Sequence, residues 1–378
     1  MKTAHDGATG KPGDAATWLG ELSGSLGDLG TFLPYVVAAL AAGTLAPAPV
    51  FTGFALAYLL VALVYRVPIA VQPMKALGAM IVAGALTTTE IAWAGAVLGA
   101  LLLACAATPR LGSLARAVPQ SVVTGLQAGL GLMLVGVAAS LMNHDWWLAA
   151  PALAILALSY LWPRGPWALI ALAGGVWLAP DLATTLVPSG ASDAVRALRA
   201  VDPAAIAAGV LGQLPLTLLN AVVVTVAVSH AVFPAARRTV NERRLAATNG
   251  LLNLLLAPLG AMPMCHGAGG VSAHHRFGAR SVGAPLLLAV LCAAAAFAGP
   301  SVIGVLTAIP APVVGALLLF AALDLILTRR VFDARRDCQP VIAAAALATF
   351  VGGALAGLVV GIIAESVRAL ILRRLRGG

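Results

Sequence analysis

The chain has 378 residues, of which 61% are hydrophobic and only 10% are charged. Soluble domains carry about 25% charged residues, so this composition excludes an ordinary soluble protein and indicates a polytopic membrane protein. The net charge of +9 does not indicate a nucleic-acid partner, because the basic residues form short clusters between apolar runs. Four widely spaced cysteines without a CxxC pair predict neither a disulfide framework nor a zinc site.

The apolar runs predict an all-α protein with fourteen membrane-spanning segments, seven in each half. A polar tail, residues 1–17, lacks the apolar region of a signal peptide and is expected to be disordered and cytosolic. The first half, 18–187, has runs at 18–40, 49–65, 69–86, 91–107, 119–140, 147–162 and 166–187. After a connector at 188–203, the second half, 204–378, has runs at 204–233, 245–260, 263–276, 281–299, 302–328, 340–355 and 356–372.

The two halves share a spaced proline motif. Pro68-x4-Pro73-Met74 returns about half a chain later as Pro258-x4-Pro263-Met264. Paired, proline-interrupted apolar segments at corresponding positions indicate the binding site of a secondary transporter. Because seven crossings is an odd number, the second half would enter the membrane upside down, which predicts an inverted repeat.

The distribution of positive charge supports this topology. With the N-terminus inside, 20 of the 23 Lys and Arg residues fall on cytoplasmic segments. Lys75 falls within the membrane, and Arg196 and Arg199 fall in the connector. Positive charge concentrates on the cytoplasmic side of membrane proteins. We therefore expect a multi-pass protein of the cell (inner) membrane with both termini in the cytoplasm.

The two proline-interrupted segments are too short to cross the bilayer as helices. Each helical stretch, from Pro73 to about Leu86 and from Pro263 to about Arg276, spans about 20 Å, whereas the hydrocarbon core is about 30 Å thick. Each helix is therefore expected to begin near mid-membrane, with its proline in the first turn. In an inverted repeat the two N-termini face each other, and their free N–H groups and positive dipole ends form an anion site.

The residues at these helix starts fit an anion. Lys75 is expected in the first turn of one half-helix, and Cys265, His266 and Gly267 in the first turn of the other. A lysine at mid-membrane is costly and usually functional, although Lys75 could instead snorkel towards the interface. For His266 a binding role and a satisfied core position are equally open. Cys265 and His266 are more than two turns from His274 and His275, so no metal site is predicted, and no motif calls for a cofactor. The predicted anion-binding residues are Gln72, Lys75, Ala76, Cys265, His266 and Gly267.

Polar residues in neighbouring segments extend the candidate site. Asp28 lies in the first segment and is a candidate proton or cation carrier or a partner for Lys75; the alternative is a cap at an interruption of its own helix. Thr31 lies one turn further on, and Asn220 lies in the corresponding segment of the second half. Gln127 could face the cavity or form an interhelical hydrogen bond.

Three sequence runs resemble the molybdate transporter family that is related to the sulfate permeases. The run VQPMKALGA from Val71 to Ala79 resembles its first signature, and PMCHGAGGVSAHHRFGAR from Pro263 to Arg280 is similar to its second. The run GDLGTF from Gly27 is similar to the opening helix. One departure is Ala70, where another proline is expected. We expect no cytosolic regulatory domain of the kind that many sulfate permeases carry.

The resemblance implies a fold shared with sulfate and uracil permeases. In that fold, segments 1–4 and 8–11 form a core domain that holds the site. Segments 5–7 and 12–14 form a gate domain, which often dimerises, so a homodimer is a possible assembly.

The sequence thus predicts a secondary transporter that imports a tetrahedral oxyanion, molybdate first and sulfate as the alternative. Moving a dianion inward against about 100 mV costs about 4.6 kcal/mol, so uptake needs a coupled cation. The proton is the expected cation, with Asp28 and His266 as candidate carriers. A nucleobase permease of the same fold or an anion channel are further alternatives. A membrane enzyme is disfavoured, because no cluster of carboxylates or nucleophile–base set is visible.

Overall fold

The computed structural model describes residues 18–109, 111, 118–143, 145–161, 167–178, 201–298, 301 and 308–376. The predicted tail at 1–17, the end of the seventh segment and most of the connector at 188–203 lie outside the described residues. In the first half the elements are α1 (Trp18–Leu26), α2 (Leu29–Ala41), α3 (Pro47–Tyr65), β1 (Gln72–Pro73), α4 (Lys75–Val82), α5 (Thr88–Ala107), α6 (Gln120–Met142), α7 (Trp146–Leu161) and α8 (Trp167–Leu178).

The second half repeats this order with some additional short elements. It contains α9 (Pro203–Leu216), a π-helix (Thr217–Val224), α10 (Thr225–Val232), α11 (Ala236–Thr239), α12 (Glu242–Leu256), a 3-10 turn (Ala257–Leu259), β2 (Met264–Cys265), α13 (Ala268–Arg276), α14 (Gly283–Phe297), α15 (Ala311–Ile326), α16 (Arg329–Phe332) and α17 (Gln339–Arg376).

Local sequence signals set where several helices begin. A capping box starts α5, in which the Thr87 hydroxyl accepts from the Glu90 N–H and the Glu90 carboxylate accepts from the Thr87 N–H. Asp202 caps α9 ahead of a proline at its first position, and Asn241 caps α12. These helix starts are therefore determined by residues that satisfy the first free N–H groups.

The first predicted segment and the last two differ from the simple helices expected of them. The first is interrupted at Gly27 and Asp28, between α1 and α2. The last two, predicted at 340–355 and 356–372, form one long element, α17, which contains a non-helical residue at Gly353 with φ 80°. That backbone conformation is open to glycine and strained for other residues, so the break falls at the glycine.

At the centre of the protein β1 and β2 form an antiparallel pair, with Gln72 opposite Cys265 and Pro73 opposite Met264. The half-helices α4 and α13 begin directly after these strands, with 8 and 9 residues. At about 1.5 Å per residue neither crosses a core of about 30 Å, so the prediction of half-helices is confirmed. The prolines, however, precede the helices, because Pro73 is paired within β1 and Pro263 comes before β2.

The two halves are interlocked by reciprocal helix packing. Helix α3 of the first half packs against α14 of the second, and α5 packs against α12. Gly99 of α5 meets Gly250 of α12, where a Cβ on Gly99 would lie 2.7 Å from the Gly250 carbonyl oxygen and would also contact the Leu254 nitrogen. Small residues at such crossings let helix backbones approach closely.

A second group of helices packs beside the first. Helix α6 contacts α15 and α17, while α7 contacts α8 and α15. Contacts of α2 with α15, of α9 with α17 and of α4 with α6 join this group to the helices around the strands. The small cavity described below lies where the two groups meet.

The outer surface is apolar, as expected for a protein in lipid. Large side chains on helix exteriors, such as Leu63, Val290 and Val351, are more than 60% exposed. Within the described residues five helices are long and apolar enough to cross a membrane: Pro47–Tyr65, Thr88–Ala107, Gln120–Met142, Pro203–Val232 and Gln339–Arg374. The count of fourteen crossings in a seven-plus-seven repeat therefore remains a prediction.

The tight crossing of α5 and α12 provides a test of the fold. Gly99→Ala places a methyl group against backbone atoms of α12, so the two helices must separate. We expect a loss of about 1–3 kcal/mol of stability, typical of overpacking. The check is the thermal unfolding midpoint in detergent, with Gly136→Ala as the control because its Cβ has no neighbour within 4 Å. Equal midpoints for the two variants would contradict the crossing.

Candidate functional site

A cavity of about 50 Å³ lies between the ends of the two strands, the starts of the two half-helices, α6 and the π-helix. Seven of the ten predicted site residues line it: Gln72, Lys75, Gln127, Asn220, Cys265, His266 and Gly267. Gln213, Leu216, Ala221, Ala268 and Gly269 complete the lining. Of the remaining three, Asp28 and Ala76 lie just behind the wall, and the side chain of Thr31 lies outside the part that the structure describes.

The β2 side of the cavity is held by two buried asparagines of α12. The Asn253 amide accepts from the Met264 N–H at 2.9 Å and donates to the Met264 carbonyl at 2.6 Å. The side-chain amide oxygen Oδ1 of Asn249 accepts from the His266 N–H at 3.0 Å. These bonds keep Cys265 and His266 extended, so the prediction that they form the first turn of the second half-helix is wrong.

Gln213 of α9 occupies the start of α4. Its amide oxygen accepts from the N–H groups of Ala76 at 2.8 Å and Leu77 at 3.3 Å, and its amide nitrogen donates to Thr217 at 2.9 Å. The Ala76 N–H, a predicted anion ligand, is therefore engaged by a protein side chain in this conformation. Gln213 acts as a distant N-cap that satisfies free N–H groups at the start of α4.

The start of α13, in contrast, is open towards the cavity. Its first intrahelical bond runs from the Val271 N–H to the Gly267 carbonyl, which leaves the N–H groups of Ala268 and Gly269 without a helical acceptor. Both residues line the cavity, and a Cβ on Gly269 would have no neighbour within 4 Å. This end of a helix dipole therefore presents donors to an open space.

Two polar side chains of the cavity have no protein partner within the described ranges. Lys75, half-buried in the first turn of α4, makes no hydrogen bond and no ion pair there. The Gln127 side chain of α6 is buried, and its amide oxygen has no partner among the described residues. The interhelical bond considered for Gln127 is thus absent from the described structure, and its amide faces the cavity.

His266 is fully buried, and both its ring nitrogens are engaged by protein groups. Nδ1 lies 3.2 Å from the Ala70 carbonyl, and Nε2 lies 2.8 Å from the Thr248 hydroxyl. A carbonyl only accepts, so the Nδ1 nitrogen carries the proton and Nε2 of the neutral ring accepts from Thr248. The Tyr65 hydroxyl lies 2.6 Å from the same Thr248 oxygen and extends the network.

Asp28 lies behind the cavity wall, against Gln72. Gln72 Nε2 donates to Asp28 Oδ1 at 2.6 Å, and both side chains are 3% exposed. Although Asp28 precedes α2, its side chain makes no capping bond to that helix, so the capping alternative is wrong. Glycines of the α13 start make room for this pair. A Cβ on Gly270 would lie 2.5 Å from Asp28 Oδ2, and a Cβ on Gly267 would contact Gln72 Oε1.

Asn220 belongs to the π-helix between α9 and α10. Such helices are rare and frequently occur at functional sites, because the wider turn redirects side chains. The Asn220 amide oxygen accepts from an Nη of Arg330 at 2.9 Å. Among the described residues no group of three or more His, Cys, Asp or Glu side chains is placed to hold a metal ion.

Among the described residues, the geometry defines a small site with one free ammonium group, the unpartnered Gln127 amide oxygen and open helix N–H donors, where the two half-helices begin. That is the arrangement of a transporter site for an anion. Solved structures agree in fold. The transmembrane domain of the cyanobacterial bicarbonate transporter BicA superposes with a TM-score of 0.62 at 17% identity, covering 90% of this chain and 96% of that one. SLC26A9 gives 0.65 at 12% identity, covering 94% and 65%.

Sequence comparison gives the family. The family model described as "Molybdate transporter of MFS superfamily" matches residues 20–134 and 205–325, which is more than half of the chain. Molybdate transporter 1 of Arabidopsis thaliana is 29% identical over 375 residues, covering 84% of this chain and 81% of that protein. Molybdate transporter 2 of the same plant is 28% identical over 413 residues, covering 91% and 86%.

The chain is therefore a multi-pass membrane anion transporter, and it belongs to the molybdate transporter family. Its relatives are transporters, and it is not an enzyme.

Sequence reasoning missed the residues that support the cavity. Gln213, Asn249 and Asn253 lie in helices that otherwise read as apolar spans, and all three are at most 2% exposed. A buried amide in a membrane helix needs a partner, which was the available signal. The backbone group that such an amide bonds depends on how distant segments pack. Local sequence patterns do not predict that packing.

Asn253→Ala tests the support of β2. The substitution removes two bonds to the Met264 backbone and leaves a buried N–H and carbonyl unsatisfied. We expect a loss of about 2–3 kcal/mol of stability and of the extended strand. The measurement is the unfolding midpoint in detergent, with the exposed Asn143→Ala as control. An unchanged midpoint for Asn253→Ala would show that these bonds do not hold the strand.

Proposed function

We propose that this protein imports molybdate as a proton-coupled secondary active transporter and binds the dianion in the 50 Å³ cavity. The observation that carries the proposal is the unpartnered Lys75 ammonium beside the open N-terminus of α13, among the described residues. An ammonium group held within the membrane without a protein carboxylate favours an anionic ligand. The names of the relatives in Arabidopsis thaliana favour molybdate.

In this proposal Lys75 supplies charge, and hydrogen bonds come from Gln72, Gln127 and the N–H groups of Ala268 and Gly269. Cys265, His266 and Gly267 form the wall behind the ion. A water molecule needs about 10–15 Å³ of such space, so 50 Å³ suits one compact ion with little water. That size disfavours a nucleobase, whereas sulfate, also a tetrahedral dianion, remains the alternative substrate.

Transport would move one helix group against the other. We propose that the helices around the strands, predicted segments 1–4 and 8–11, form the core, and that segments 5–7 and 12–14 form the gate. The antiparallel pairing of β1 with β2 and the reciprocal packing of the halves support an inverted repeat. The charge distribution supports cytoplasmic termini in the cell inner membrane.

Proton coupling would supply the driving force. Asp28 is buried one hydrogen bond away from Gln72, so its charge can influence the anion site. His266 has room to take a second proton at Nε2, because the Thr248 hydroxyl also lies 3.0 Å from the Arg244 carbonyl and 3.3 Å from that of Leu245. Rotation of that hydroxyl turns it from donor to acceptor towards His266 without moving the backbone.

Lys75→Ala tests the site. Loss of the charge should raise the Kd for molybdate at least tenfold, which corresponds to about 1.4 kcal/mol. Titration calorimetry on the purified protein measures Kd, and competition with sulfate decides between the two substrates. Arg336→Ala, an exposed cation outside the cavity, is the control. Wild-type affinity in Lys75→Ala would remove Lys75 from the site, and tighter binding of sulfate would reverse the order of substrates.

Asp28→Asn tests the coupling. The amide oxygen can still accept from Gln72, while the titratable charge is removed. In proteoliposomes an inward proton gradient should accelerate molybdate uptake several-fold in the wild type and in Asp145→Asn, and this acceleration should vanish in Asp28→Asn. Wild-type uptake that ignores the gradient would contradict proton coupling. A persistent gradient effect in Asp28→Asn would shift the role of carrier to His266.

A further inference from the structure

Arg330 approaches the cavity from outside the half-helices. It lies in α16, directly after α15, and its guanidinium donates to the Asn220 amide oxygen at 2.9 Å. Asn220 lines the same cavity as Lys75. The Arg330 charge is therefore one side chain away from the proposed anion position, although the sequence places Arg330 in a basic cluster at a membrane face.

Arg330 makes few contacts with protein acceptors among the described residues. A guanidinium has five N–H donors, and within the described ranges Arg330 makes one hydrogen bond, to a neutral amide, and no ion pair. Its side chain is half-buried, and partial burial lowers its pKa, yet an arginine stays protonated at physiological pH. Guanidinium donors without a protein acceptor can bind an anion, so the donors of Arg330 that have no partner among the described residues favour an anionic ligand.

Lys75, which lines the cavity, also favours an anionic ligand. Lys75 contributes one positive charge, whereas molybdate and sulfate carry two negative charges. Arg330 would supply the second. Its planar fork matches two oxygens of a tetrahedral oxyanion, which a single ammonium cannot do. Because α16 follows a helix of the second packing group and Asn220 belongs to the first, this contact also lies where the two groups meet.

We propose that Arg330, positioned by Asn220, is a second cationic binding residue for the oxyanion, at the edge of the cavity on the side of the basic cluster. The proposal rests on the proposed anion-transport function and adds a residue to that site. A purely structural tie between Arg330 and Asn220 is the competing role. The two roles require different properties of residue 330. Binding the anion requires the positive charge of Arg330, whereas a purely structural role requires only its hydrogen bond to Asn220.

The test uses the full-length protein and inorganic molybdate. Calorimetric Kd values are measured over a range of potassium gluconate concentrations for the wild type, Arg330→Gln, Arg330→Lys and Asn220→Ala. Arg330→Gln should raise Kd at least tenfold and flatten its dependence on ionic strength, because one attracting charge is lost. Arg330→Lys should weaken binding less than Arg330→Gln does, because it loses the bidentate fork but keeps the charge, and it should keep the wild-type salt dependence. Asn220→Ala should raise Kd by a few fold with the salt dependence retained.

Two results would overturn the role of Arg330. The first is a wild-type Kd and salt dependence in Arg330→Gln. The second is an equal weakening in all three variants with unchanged salt dependence, as expected of a structural tie. Unfolding midpoints confirm that the variants are folded. A wild-type protein that binds neither molybdate nor sulfate would instead contradict the proposed function itself, so the two failures are distinguishable.

Discussion

The backbone that interrupts the two half-helix segments must satisfy its own polar groups, and the rest of this structure follows from that constraint. An interrupted helix within a bilayer has to find partners for its free polar groups within the protein or at a cavity. Here the two interruptions pair with each other, as the Met74 N–H donates to the Pro263 carbonyl beside the antiparallel strands. Amide side chains of α9 and α12 accept from further backbone N–H groups at these interruptions.

The distribution of these amides makes the site asymmetric. Gln213 engages the start of α4, whereas the start of α13 stays open, although both half-helices follow the same proline motif. Asp28, in the helix corresponding to that of Gln213, reaches the α13 side but bonds to Gln72. The backbone is similar in each half, but the N–H groups at the start of α4 are capped and those at the start of α13 face the cavity. The start of α13 therefore lies opposite Lys75 of α4.

Much of the fold could be predicted from the sequence because its signals are local. Apolar runs, the paired prolines and Lys75 indicated a membrane protein with two half-helices and a cavity between them. The exact helix starts could not be predicted, because the extended run at Cys265 and His266 is held by Asn249 and Asn253 of another helix. Likewise, nothing in the sequence around Arg330 indicates that its guanidinium meets Asn220, 110 residues away.

The pairing of β1 with β2 also bears on how such a chain can be assembled. During synthesis the first half emerges with β1 lacking its partner, and its buried N–H and carbonyl groups have no acceptors or donors until β2 follows. Helices α3 and α5 similarly lack α14 and α12. A half of this protein therefore cannot reach its final packing by itself. The sequence motif thus marks each half of the chain, whereas the final packing requires both halves.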